Sequence, residues 1–134
     1  LIGSNQPWLA SLGFVDFAGS TVVHSTGAWF ALVAARSIGP RTGRFDATGA
    51  ARPIPCDSIP LSTFGVLILW VGWWGFNGGS TLRFDERVAS IILNTNLAGA
   101  AGALAALAHG WLFQERRDLS LKLLGGTLGG LVAI

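Results

Sequence analysis

Four side chains in one stretch have the types and the spacing to handle a small cation. Leu69, Trp73, Phe76 and Ser80 follow one another at intervals of four, three and four residues, so a helix carries them as a single stripe. An aliphatic residue, two aromatic faces and then a hydroxyl near water suit a cation that sheds solvent as it enters. Aromatic faces attract cations by about 0.5 to 2 kcal/mol, most strongly when desolvated. The competing reading is an interfacial aromatic belt of Trp70, Trp73 and Trp74, which needs no ligand, and the pattern alone favours the belt. His24 is the second candidate. It lies well inside an uncharged stretch, where an ionisable residue is costly and is usually turned toward a pore, a relay or a buried partner. Asp16, eight residues earlier, would share its face to within about 80° on a regular helix. At the outer end of that stretch its carboxylate is read as a cap for the helix start. His109, close to Gln114, Glu115 and Arg116, is read as interfacial. Asn94, Thr95 and Asn96 suit hydrogen bonding between helices more than a polar path.

Other chemistry is disfavoured. No serine or cysteine has a base and an orienting group at a recognisable spacing, and two histidines with scattered carboxylates make no metal pattern, so neither an enzyme nor a metal or cofactor site is expected. Cys56 has no partner in the chain, which excludes a disulfide framework. Nine Lys and Arg against seven Asp and Glu leave a surplus of two charges and no basic run beyond Arg116-Arg117, too little for nucleic acid.

The elements that must position these residues follow from composition. Of 134 residues, 51% are hydrophobic and 12% charged, where a soluble domain carries about a quarter charged. Lipid is the implied solvent. Uncharged windows at 17–35, 58–82 and 88–114 hold 19, 25 and 27 residues, against about 20 needed to cross a bilayer core. The expected fold is all-α, a polytopic transmembrane bundle with spans near 17–38, 59–81 and 88–113. The apolar window 123–134 has only 12 residues and is read as a truncated span over 119–134. With no initiator Met and no signal peptide at the start, the chain is expected to be part of a longer protein. The 39–57 segment, with Gly39-Pro40, Pro53 and Pro55, reads as an aqueous loop. Arg36, Arg41, Arg44, Arg52, Arg116, Arg117 and Lys122 fall on one side of the spans, and Arg83 and Arg87 on the other. That bias puts the 39–57 loop in the cytoplasm and the turn at 83–87 outside. Gly99, Gly102, Gly125, Gly126, Gly129 and Gly130 lie in apolar helix, follow no strand and lack a phosphate-binding lysine, so close helix packing is expected in place of a nucleotide loop.

Three segments together resemble the ammonium transporter (Amt/Mep/Rh) family: Asp16-Phe-Ala-Gly-Ser-Thr-Val-Val-His24, Leu69-Trp-Val-Gly-Trp-Trp-Gly-Phe-Asn-Gly-Gly-Ser80, and Asn94-Thr-Asn-Leu-Ala-Gly-Ala-Ala-Gly102. The resemblance implies helices five to eight of an eleven-helix fold, and ammonium or ammonia transport through a hydrophobic, histidine-lined pore. It implies His24 as the first of two facing pore histidines, Phe76 as a gate phenylalanine, Trp73 and Leu69 lining the same passage, Ser80 at the outer recruiting site, and Asp16 as a structural residue beside it. The tryptophan of that outer site would fall at Ser4, a departure from the family pattern. The implied setting is the cell membrane, with lipid around the chain, a homotrimeric assembly and a PII-type regulatory protein as a partner. The alternative implied function is an ammonium-sensing membrane domain fused to a cytoplasmic signalling module.

Overall fold

The computed structural model describes residues 8–113 and 118–134. Ser4, Gln114, Glu115, Arg116 and Arg117, which entered the sequence reading, lie outside the described residues. A four-residue helix, α1 (Trp8–Ser11), precedes a π-helical segment (Ser20–Ser25) that runs into α2 (Thr26–Ile38). Then come α3 (Ile59–Gly79), α4 (Arg87–Leu112) and α5 (Leu119–Val132). The described residues hold helices and one isolated bridge, between Phe45 and Ala51 in the long loop.

The start of α3 is written in its sequence. Ser58 caps α3, its hydroxyl accepting from the Leu61 amide at 3.2 Å, and Pro60 sits in the first turn, where no intrahelical donor is needed. Both α3 and α4 are long and apolar enough to cross a bilayer. The loop between α2 and α3 folds on itself: Asp46 accepts from the Thr48 and Ala50 amides, and Arg44 donates to the Arg52 carbonyl. Its exposed charges cost nothing in water and would be expensive in hydrocarbon.

The core lies between α4 and α5, which meet backbone to backbone. A methyl group added at Gly102 would stand 2.9 Å from the Gly130 Cα and closer still to the Gly126 carbonyl, so only glycine permits the approach. Of the two overlapping GxxxG pairs, Gly126 and Gly130 make this contact, whereas a methyl on Gly125 or Gly129 would meet nothing. Leu131, fully buried, fills the space beside Gly99 and Trp70. A buried amide then ties α3 to both neighbours. Asn77 donates to the Thr95 hydroxyl at 3.1 Å and to the Leu131 carbonyl at 3.4 Å, while Thr95 donates to the Ile91 carbonyl. Outside this seam the apolar side chains point outward. No residue of α2 is buried, and Trp29, Phe30, Leu32 and Val33 all lie exposed. That distribution suits a chain whose surroundings are lipid or further helices.

Candidate functional site

The first helical segment is bent into its task by Gly19 and Asp16. Gly19 adopts φ +98°, a left-handed conformation, and a Cβ there would come within 2.7 Å of the Val23 side chain. Its carbonyl accepts from the amides of both Val23 and His24, at 2.9 and 3.0 Å, and the second bond opens the helix into a π turn. The regular-helix spacing of about 80° between Asp16 and His24 therefore does not apply, since Asp16 lies before the helix begins. Its carboxylate reaches up beneath the open end, accepting from the amides of Gly19, Thr21 and Val22 and from the Thr21 hydroxyl at 2.6 Å. That hydroxyl, with the Val22, Gly19 and Thr21 amides, holds the carboxyl down to about 2, so the group is ionised throughout the neutral range. Ser20 donates to the Val132 carbonyl and so fastens the π segment to the end of α5.

This geometry delivers His24 to the face of α3. Its ring stacks on Trp73 with centroids 5.3 Å apart and planes 19° from parallel, and meets Phe76 edge-on at 5.5 Å. Trp73 and Phe76 are themselves 5.9 Å apart. The three rings, with Leu69 and Gly72, line a cavity of about 260 Å³. His24 Nδ1 lies 3.2 Å from the Gly19 carbonyl. A carbonyl oxygen only accepts, so this contact is a hydrogen bond in the tautomer with the proton on Nδ1, leaving Nε2 as an acceptor. Trp73 Nε1 is buried and has no hydrogen-bond partner among the described residues.

Of the candidates read from the sequence, His24, Leu69, Trp73 and Phe76 meet in this cavity. Ser80 stands one turn beyond Phe76 and donates to its carbonyl at 2.9 Å. Asp16 supports the segment from below. The tryptophans that pattern alone assigned to a belt divide into two kinds. Trp73 stacks on His24, but Trp70 and Trp74 both donate to the Asn96 amide oxygen, at 2.9 and 3.0 Å, and so clamp α3 to α4. Asn96 was legible only as a helix-to-helix hydrogen-bonding residue, because nothing in its own stretch says which helix it serves. The π turn carries no sequence signal beyond the Gly19-Ser20 pair. His109 packs on Phe113 at 4.6 Å, at the far end of α4.

Comparison with known proteins agrees with these motifs. The model of the Ammonium Transporter Family matches residues 2–134. The chain is 48% identical to Ammonium transporter Amt2 of Archaeoglobus fulgidus, over 91% of this chain and 26% of that protein. It is 41% identical to Ammonium transporter Amt1 of Haloferax mediterranei, over 92% of this chain and 26% of that one. With Ammonium transporter Amt2 of Methanocaldococcus jannaschii it shares 40% identity, over 96% of this chain and 29% of the relative. The chain thus spans a little over a quarter of the length of these curated relatives, each of which is named as a transporter and not as an enzyme. A family match from residue 2 to residue 134, carried on helices of membrane-spanning length, leads to one conclusion: the chain belongs to the ammonium transporter family.

Proposed function

We propose that the full-length protein moves ammonium, as the ion or as ammonia, across the membrane along a passage of which His24, Leu69, Trp73 and Phe76 form one wall. The observation that carries this reading is the cavity in which these four side chains meet. As a member of its family with apolar helices of spanning length, the chain is a membrane protein. The physical obstacle to any such passage is desolvation, because a monovalent ion entering low dielectric loses several kcal/mol even after the surroundings relax. Aromatic faces replace part of the lost hydration. With Nδ1 engaged by the Gly19 carbonyl, His24 offers Nε2 to accept a hydrogen bond from the N–H of the solute, or its proton.

Ser80 is assigned to the mouth of the passage. Its proton is directed at the Phe76 carbonyl, so the lone pairs of its oxygen are left to receive the N–H groups of an arriving ammonium. Asp16 is assigned to support and not to the path, since its carboxylate is already engaged by three amides and a hydroxyl. The protein is placed in the cell membrane as a multi-pass chain, with the 39–57 loop cytoplasmic and the turn at Asp85 outside. A homotrimer and a PII-type cytoplasmic regulator are the partners that the family resemblance supports.

The test uses the full-length protein in liposomes. His24→Leu is expected to insert and fold as the native protein does, since it removes a polar group from an apolar setting, while ammonium flux falls at least tenfold. Native flux with native discrimination against potassium would reduce His24 to a packing residue and withdraw the reading. Orientation is tested separately in a Cys56→Ser background. An impermeant thiol reagent outside intact cells should label a cysteine at Asp85 and spare one at Thr48, and the reverse pattern would invert the placement.

A further inference from the structure

Two kinds of hydrogen bond hold the segment that carries His24, and they serve different ends. Those of Asp16 and Gly19 join residues close in sequence, so they fix the shape of the segment and not its place beside α3. Thr26 adds another local bond, its hydroxyl donating to the Thr21 carbonyl at 3.3 Å. The helix that follows, α2, has no buried residue through which it could grip α3, α4 or α5. Ser20 is different. Its hydroxyl donates to the Val132 carbonyl and lies 3.4 Å from that of Ile134, 112 and 114 residues along the chain. Among the described residues, these are the hydrogen bonds that join the His24 segment to the three long helices.

The acceptor suits the task. A helix leaves the carbonyls of its last turn without intrahelical donors, and the last turn of α5 is itself held firmly. Leu131 is fully buried, Asn77 of α3 donates to the Leu131 carbonyl at 3.4 Å, and the glycine seam sets α5 against α4. Ser20 lies four residues before His24, while Asn77 lies four after Trp73 and one after Phe76. The two sides of the cavity, an imidazole on one element and two rings on another, are therefore both tied to neighbouring carbonyls of a third. The ties differ in how they are backed. α3 is also fastened to α4 by Trp70 and Trp74 on Asn96, so it keeps its place without Asn77.

We propose that Ser20 is a positioning residue: its hydroxyl, seated on the end of α5, holds the His24 imidazole in register with Trp73 and Phe76 and thereby sets how well the passage separates ammonium from potassium. Stacked rings prefer certain offsets but carry no polar attachment that would stop them sliding, so the register is imposed from elsewhere. Ammonium brings N–H groups for an imidazole nitrogen to accept and potassium brings none, so the discrimination depends on where His24 Nε2 stands. This role rests on the reading of His24 as part of the passage wall.

The test compares Ser20→Ala, Ser20→Thr and Asn77→Leu in the full-length protein. The first removes the donor, the second keeps it, and the third removes a donor from the adjacent carbonyl of the same helix end. Per folded molecule in liposomes, the ratio of ammonium to potassium flux should fall about threefold in Ser20→Ala, within the roughly fivefold that one hydrogen bond between membrane helices can account for. It should stay native in the other two. Similar losses of thermal stability in Ser20→Ala and Asn77→Leu with both ratios native would make the bond merely structural and overturn the proposal, as would an equal fall in Ser20→Thr. In a structure of full-length Ser20→Ala, the His24 ring should leave its 5.3 Å stack on Trp73. An unmoved ring would overturn the proposal with the passage reading intact, whereas a displaced ring with a native ratio would withdraw His24 from the passage itself.

Discussion

The α4–α5 seam and the aromatic wall of α3 are built from opposite ends of the side-chain size scale. Along the seam the contact is made by backbone, because Gly102, Gly126 and Gly130 leave no side chain between the helices. At the wall, three rings meet at 5.3 to 5.9 Å and still leave a cavity of about 260 Å³ beside them. Close approach of flat helix surfaces gives many small dispersion contacts along the line where they meet, and the hollow of about 500 Å³ that Ala98, Gly102, Gly126 and Gly130 help to line contains no ring to shape it. Large planar rings pack only along chosen faces and edges, so they enclose space while remaining in contact. One region fixes where the helices stand, and the other uses that fixed position to hold a void open.

The contrast is most severely broken by a large residue in the seam. Gly102→Leu should destabilise the full-length protein by more than about 3 kcal/mol, beyond the usual cost of overpacking because the obstacle is backbone that cannot change rotamer. Size-exclusion profile and thermal midpoint in detergent would report it, and a native-like profile would show that the seam tolerates separation. Phe76→Leu tests the other side. With Phe76 partly exposed, stability should change by less than about 1.5 kcal/mol. The ratio of ammonium to potassium flux should fall roughly tenfold, the equivalent of about 1.4 kcal/mol from one desolvated aromatic face. An unchanged ratio would mean that the ring does not face the solute.

A smaller effect is expected at the joint between the two regions. Asn77→Leu strips the Leu131 carbonyl of its donor but leaves Thr95 bonded to the Ile91 carbonyl. A loss of about 1 kcal/mol is expected, the ordinary worth of one hydrogen bond between membrane helices. The thermal midpoint should fall slightly, and any flux change should track the loss of folded protein. Smallest of all is Gly125→Ala, which should stay within about 0.5 kcal/mol of the native protein because its methyl meets open space. Gly126→Ala, one residue along, should be much worse. If the two behave alike, the assignment of faces on α5 is wrong.

Much of this was legible beforehand. Lipid admits few charges, so uncharged windows located the four long helical stretches, and the four-three-four spacing put Leu69, Trp73, Phe76 and Ser80 on one side of α3. What sequence could not supply was partnership. The pair Gly125 and Gly129 reads the same as Gly126 and Gly130, and only the rotation of α5 against α4 decides between them. Trp70 and Trp74 look like belt residues until Asn96 is seen between them. The π turn is hidden for a different reason: its six residues would fit an α-helix equally well, and a single carbonyl with two amide donors tips the balance.

That turn also bears on how this stretch can change over generations. A π turn accommodates one residue more than the α-helical turn it replaces, so its existence depends on chain length as well as on side chains. Closure of the same six residues as an ordinary helix, with none removed, would turn everything after them by about 100° relative to Gly19, whereas loss of a single codon together with that closure would leave the rotation nearly as it is. In the first case His24 would be carried off the face of Trp73, with every side chain of the cavity still present in the translated product. Substitutions in the exposed positions Val22 and Val23 should drift freely among apolar residues, whereas a further insertion in the same six positions should be rejected.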